Sequence, residues 1–220
     1  MKQEVQLQAI TEFTERVLGG DKSGHDMSHI HRVVQSARAI LATEPTADPF
    51  IVIAAATLHD TYDDKLFTDV AAAKADVVAM LIANAVSSDT QAAIFFIIDN
   101  MSWSKTMNGE GLPLDINGQI VQDADRLDAI GAMSIARVFI FGGGHGHIMY
   151  DPAIKPRTSM SKAEYRRDDE GTMINHFYEK LLLLVDHLNT TKAKTVGAHR
   201  QQIMLDYLAA FKEEWDGKDL

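Results

Sequence analysis

Residues 49–65 read PFIVIAAATLHDTYDDK, and the fold turns on whether the apolar half of this stretch is a strand or a helix. Isoleucine and valine suit a strand. Three consecutive alanines, with helical periodicity on both sides of the run, suit a buried helix. The stretch then closes on His59, Asp60, Asp63 and Asp64. An exposed acidic loop would account for the acids but leave His59 without a role. Either the carboxylates cap and solvate a helix end, or they join histidines elsewhere to hold a metal.

Outward from this stretch the pattern is helical. Val5, Ile10, Phe13, Val17 and Leu18 fall roughly on one side of a helix over 5–18, and Ile30, Val33, Val34, Ala37, Ile40 and Leu41 do so over 27–42. Pro45 and Pro49 punctuate the connection between the second of these and the apolar run. Further helices are predicted near 70–86 and 89–101, with Asp89 as a capping residue. SWSKTMNGEGLPLD, residues 102–115, reads as a loop because glycine and proline interrupt it. A long helix is predicted from about 117 to 140, stopped by the three glycines of FGGGHGH, residues 141–147, which continue a helix only at a cost. The chain then reads as irregular to about 170, and two long helices near 171–189 and 193–215 close it. The expectation is an all-α fold, one domain over 1–220 with a glycine-rich excursion.

Composition narrows the function. The 220 residues are 46% hydrophobic and 24% charged, enough for a substantial core. There is no cysteine, which removes disulfides and thiolate ligands and favours a cytoplasmic location. The N-terminal stretch is amphipathic and lacks the pattern of a signal peptide. No apolar run reaches the length of a membrane span. A formal charge of −10 argues against a nucleic-acid backbone binder while leaving room for a small phosphorylated substrate held by a local group of cations.

Nine histidines and a set of aspartates carry the chemistry. In GHDMSHIHRVV, His25 and His29 are four apart, and His31 is turned about 200° from His29 at helical pitch. Only one of His29 and His31 can look into a given pocket, and His29, three and four residues ahead of Arg32 and Val33, is nearer the core side. His59 and Asp60 diverge by about 100° on a helix, yet both can reach an ion near its end. Asp63 and Asp64 are predicted to stack one turn beyond them. In VQDADRLDAIGA, Asp125 lies among Val121, Leu127 and Ile130. His29, His59, Asp60 and Asp125 together would make a nitrogen and oxygen site suited to Mn²⁺, Fe²⁺, Ni²⁺ or Zn²⁺. The competing reading makes each acid a cap or a solvated group and each histidine a core hydrogen-bonding residue.

These blocks have a likeness. HDMSHIHRV, LHDTYDDK, VQDADRLDAIGAMSIAR and NHFYEKLLLL, in this order across about 21–200, resemble the HD-domain metal-dependent phosphohydrolases, among them small bacterial hydrolases that include nucleotide pyrophosphohydrolases. The resemblance implies the HD helical fold and metal ligands at His29, His59, Asp60 and Asp125. No histidine occurs from 61 to 144, which implies one ion; manganese is expected first, with nickel, cobalt, iron, zinc or magnesium as alternatives. The likeness of His59, Asp60, Asp63 and Asp64 to the HDxxED pattern of guanosine tetraphosphate hydrolases implies water activation by Asp63 and Asp64, although aspartate at 63 is one methylene shorter than glutamate.

Carboxylates alone would repel a phosphate, so cations must line the opposite side. Lys65, Arg32 and Arg126 adjoin the motifs, the two arginines alternatively holding carboxylates. Lys155 and Arg157 lie in the irregular segment, and the likeness also points to His176 and Lys180. His145 and His147 are further candidates for touching substrate, and Trp103 and Tyr150 for stacking on a base. The implied activity is nucleoside triphosphate pyrophosphohydrolysis, then nucleoside monophosphate phosphatase or guanosine tetraphosphate hydrolase. The alternative from another class is a ligand-binding protein that keeps its metal for stability. No nucleic-acid or membrane partner is expected. A homodimer is expected if the amphipathic first helix packs on a second subunit rather than on its own core.

Overall fold

The apolar half of residues 49–65 is a helix. In the computed structural model, which describes residues 2–20, 26–157 and 171–220, α3 spans Pro49–Leu58. Asp48 caps it, accepting from the amides of Phe50 at 2.8 Å and Ile51 at 3.2 Å. Pro49 occupies the first turn, where its missing N–H leaves nothing unpaired. Every residue from Val52 to Leu58 is buried, and a helix apolar on all sides belongs inside a core. That settles the strand alternative: two-sided burial accounts for the isoleucines and valines, and the alanines let neighbouring helices approach.

Packing divides the chain into two compact units, Met1–Asp125 and Arg126–Leu220. In the first, α1 (Gln3–Leu18), α2 (Met27–Leu41) and α5 (Ser88–Asn100) pack around α3, and α4 (Val70–Ala83) packs on α1. Ile10, Phe13 and Leu18 of α1 meet this core, as do Ile30, Val33, Ala37 and Ile40 of α2. Each fully buried aliphatic side chain contributes roughly 1.5–3 kcal/mol. Val5, expected on the core side, is 49% exposed in the first turn of α1. The next residue, Gln6, is buried instead, and its amide donates to the carbonyls of Asn84 and Ala85 at the end of α4.

The stretch expected to be a loop after α5 contains α6 (Trp103–Asn108), started by a Ser102 cap and ended at Gly109 with φ 67°. Likewise Ser87 rather than Asp89 caps α5. The helix α7 (Ile116–Asp128) carries Asp125 at the end of the first unit.

The second unit departs most from the sequence reading. The single helix expected over 117–140 is broken, with Gly131 at φ 91° between α7 and α8 (Ala132–His145). Far from stopping at the glycines, α8 runs through Gly142, Gly143 and Gly144 and ends at Gly146 with φ 73°. The cause is packing: a Cβ on Gly142 would lie 2.6–2.7 Å from the Cε, Cγ and Sδ atoms of Met173. Close approach, not helix termination, explains that glycine. Gly143 and Gly144 meet nothing within 4 Å. Gly143→Ala and Gly144→Ala should therefore each stabilise the protein by up to about 1 kcal/mol through helix propensity, whereas Gly142→Ala should lose that gain to the displacement of Met173. Thermal unfolding of the three variants checks this.

The helix expected over 171–189 is likewise two pieces, α9 (Met173–Glu179) and a 3₁₀ helix, Leu181–His187, joined at the non-helical Lys180. Leu181 and Leu184 are both buried, and a three-residue period keeps them on one side. The closing helix α10 spans Thr191–Trp215. Among the described residues there is no sheet, only an isolated parallel bridge between Ile148 and Thr172, so the fold is all-α. His25, and residues 158–170 of the segment expected to be irregular, lie outside the described residues.

Candidate metal centre

Three helix positions bring four donors together. Asp26 caps α2 by accepting from the amide of His29 at 3.1 Å, which places His29 in the first turn with its side chain buried. His59 is the C-cap of α3, and Asp60 follows it in a turn. Asp125 comes from α7. The Nε2 atoms of His29 and His59 are 3.1 Å apart. Oδ2 of Asp60 lies 3.4 Å from each of them, and Oδ1 of Asp125 lies 3.6 and 3.8 Å from His29 and His59 respectively.

These separations fit an ion. With metal–ligand bonds of about 2.1 Å, neighbouring donors stand roughly 3.0 Å apart at a right angle and 3.4 Å apart at a tetrahedral one. The imidazole of His59 is also oriented for the task, because its Nδ1–H donates to the carbonyl of Ala56 at 2.9 Å, directing the Nε2 lone pair at the other donors. Burial alone would depress the pKa of His59. Asp60, Asp125, the Ala56 carbonyl and Asp63 outweigh burial and raise it. The same concentration of negative field favours a divalent cation. His29, His59 and Asp125 thus form a divalent metal-binding triad, with Asp60 beside it. Asp60 is nearly enclosed, its side chain 8% exposed, while Asp125 is 36% exposed and marks the open side.

Other expected residues fall in varied places. His31 is exposed while His29 is buried, as helical pitch requires. Asp63 and Asp64 do not stack on His59 and Asp60 as expected from helical spacing, because α3 has already ended. Asp63 instead accepts from the amide of Lys65 at 2.8 Å and lies close enough to His59 to raise its pKa. Asp64 and Lys65 are exposed, and Arg32 is half-buried on α2. A group that sequence reading missed anchors this turn: the hydroxyl of Tyr62 donates to Asp99 of α5 at 3.2 Å, and Lys74 of α4 pairs with the same carboxylate while lying over the Tyr62 ring. These residues are scattered over three elements, so no spacing signals them.

The remaining cations belong to the second unit. Arg126 is buried and donates to the carbonyl of His187. Lys155 is exposed and donates to the carbonyl of Pro152 at 2.9 Å. Arg157 makes a forked pair with Glu179. Tyr150 packs edge-on against Phe211 and Trp215, and the ring of His145 stacks on Phe141, with His147 beside both.

His176 is crowded by Lys180, Arg157 and His147, with Glu179 opposing them. Burial, then Lys180, lowers its pKa to about 3. Below pH 6.5 the unfolded chain therefore takes up a proton that the folded chain refuses. Stability should fall as pH drops from about 6.5 toward 3, by up to about 1.4 kcal/mol per pH unit from this group. His176→Asn should flatten that part of the profile, as measured by denaturant unfolding at a series of pH values.

No protein-family model matches the chain. YpgQ of Bacillus subtilis is 35% identical over 219 residues, 100% of this chain and 98% of its own. The crystal structure of YpgQ in complex with ADP superposes with a TM-score of 0.76, covering 97% of both chains. A crystal structure from Lactobacillus plantarum is 46% identical, with a TM-score of 0.86 over 97% of this chain and 98% of that one. An HD-superfamily hydrolase from Bacillus thuringiensis is 33% identical, with a TM-score of 0.74 over 98% and 99%.

Proposed function

The chain belongs to the HD superfamily of metal-dependent phosphohydrolases, and we propose from that premise that its substrate is a nucleoside triphosphate, cleaved to a monophosphate and pyrophosphate. The observation that carries the nucleotide class is the ADP complex of YpgQ, a relative matched over the whole chain. A centre open on the Asp125 side supports it, since a phosphate chain can approach there.

In this reading His29, His59, Asp60 and Asp125 hold the ion. When bound, the ion supplies Lewis-acid polarisation of a phosphoryl oxygen and a lowered pKa for bound water. Asp63 accepts the proton of the attacking water. The water oxygen bonds to the α-phosphorus, the bond from that phosphorus to the bridging oxygen breaks, and pyrophosphate leaves. Asp64 assists in orienting the water, and Lys65 and Arg32 offset the phosphate charge. Manganese is the proposed ion, because two imidazoles and two carboxylates suit it without excluding its neighbours.

The test is hydrolysis by metal-stripped protein supplied with Mn²⁺, Ni²⁺, Co²⁺, Mg²⁺ or Zn²⁺, over ribo- and deoxyribonucleoside tri-, di- and monophosphates and guanosine tetraphosphate, with products separated by chromatography. Pyrophosphate formed in step with monophosphate is the expected result. Orthophosphate from monophosphates alone would replace the reading with a phosphatase, and no nucleotide turnover with any ion would end it.

A further inference from the structure

On the side of α2 away from His29, the first unit contains a cleft of about 270 Å³ between α1, α2 and α3. Its walls are apolar, formed by Leu7, Met27, Ile30, Val34 and Ile53. The hydroxyls that reach it are already committed to their own helices: Thr11 donates to the carbonyl of Leu7 at 2.9 Å, and Thr57 to that of Ile53 at 2.7 Å. The amide of Gln8 donates to Glu12 at 3.0 Å. Polar recognition is left to His31 and Arg38, both exposed on α2. They stand seven residues apart, about 10.5 Å along the helix axis. Among the described residues neither side chain has an ion-pair or hydrogen-bond partner.

We propose that this cleft binds a small monoanion with an apolar body, specifically a medium-chain carboxylate. The guanidinium of Arg38 offers the paired donors that a carboxylate accepts, and the chain lies against Met27, Ile30 and Val34. At about 270 Å³ the cleft has room for a chain of octanoate size. A phosphate dianion would call for more than one fixed cation, all the more in a protein of formal charge −10. None of the lining residues is a metal ligand, so the inference stands apart from the nucleotide reading.

The experiment is titration calorimetry of the full chain with octanoate and, separately, 1-octanol. Octanoate should bind once per chain with a dissociation constant at or below about 1 mM, and octanol at least about tenfold more weakly. Arg38→Met should weaken octanoate at least about tenfold and leave octanol unchanged. Val34→Trp, which fills the cleft, should remove both. Unfolding midpoints check that the variants fold, and Arg38→Met decides the matter if Val34→Trp does not. Three results would overturn the proposal: no saturable octanoate binding, equal binding of acid and alcohol, or unchanged octanoate binding in Arg38→Met. Binding lost as chain concentration rises would also overturn it and give the cleft to a second copy of the protein.

Discussion

Asp60→Ala is expected to lower metal affinity at least about 100-fold and to abolish hydrolysis with it. Removing a residue that merely orients a ligand costs about 10–100-fold, and Asp60 is placed to touch the ion directly. Its Oδ2 lies 3.4 Å from both imidazole nitrogens, with its side chain only 8% exposed. Without it, the two imidazoles face each other at 3.1 Å with the more exposed Asp125 as the remaining carboxylate. Metal content after dialysis, measured by elemental analysis, gives the first readout. The second is thermal: an ion that binds only the folded chain raises its stability by RT ln(1 + [L]/Kd), so added Mn²⁺ should shift the unfolding midpoint of the wild type and not of Asp60→Ala. Asp64→Ala is the contrast. Its carboxylate is exposed, and the variant should keep the ion while turning over more slowly. An Asp60→Ala protein that retained both ion and turnover would remove Asp60 from the centre.

What the sequence made legible was governed by range. The apolar run of α3 and the 200° between His29 and His31 are local quantities, set by helical pitch and a few neighbouring side chains. The same local reasoning misjudged Gly142, because the reason for that glycine is Met173, thirty-one positions along the chain. It also ran one helix through Gly131 and another through Lys180, where burial of Leu181 and Leu184 with a three-residue period prevails over α-helical propensity. In the centre itself, residue type and spacing suggested the donors. The turn geometry that separates Asp63 from the expected stack, and the Tyr62, Asp99 and Lys74 anchor, depend on contacts between elements that no spacing encodes.

Arg157 shows how such a contact changes a functional expectation. Sequence reading set it on the substrate side as a cation to meet phosphate. In the structure its Nε and backbone amide both donate to Oε1 of Glu179, at 3.0 and 2.8 Å, and its Nη2 donates to Oε2 at 2.7 Å. Burial would raise the pKa of the Glu179 carboxyl, whose side chain is 3% exposed, but the bonds from Arg157 override it and hold the value below normal. Arg157→Ala leaves that carboxylate buried without its guanidinium, a loss of roughly 3–5 kcal/mol, or an unfolding midpoint lower by about 6–20 °C. The pH dependence follows from the sign of the shift. A depressed carboxyl pKa gives stability that is present above the unfolded value, about 4.3, and is lost as pH falls through the folded one. The gap between wild type and variant should therefore be widest near pH 7 and close as pH falls through the lowered folded value, beneath which Glu179 is protonated in both. Denaturant unfolding at several pH values measures this, and steady-state kinetics on the folded variant separates the roles. A raised KM with unchanged stability would return Arg157 to the substrate, whereas lost stability with unchanged KM makes it the counter-ion that keeps Glu179 charged inside the second unit.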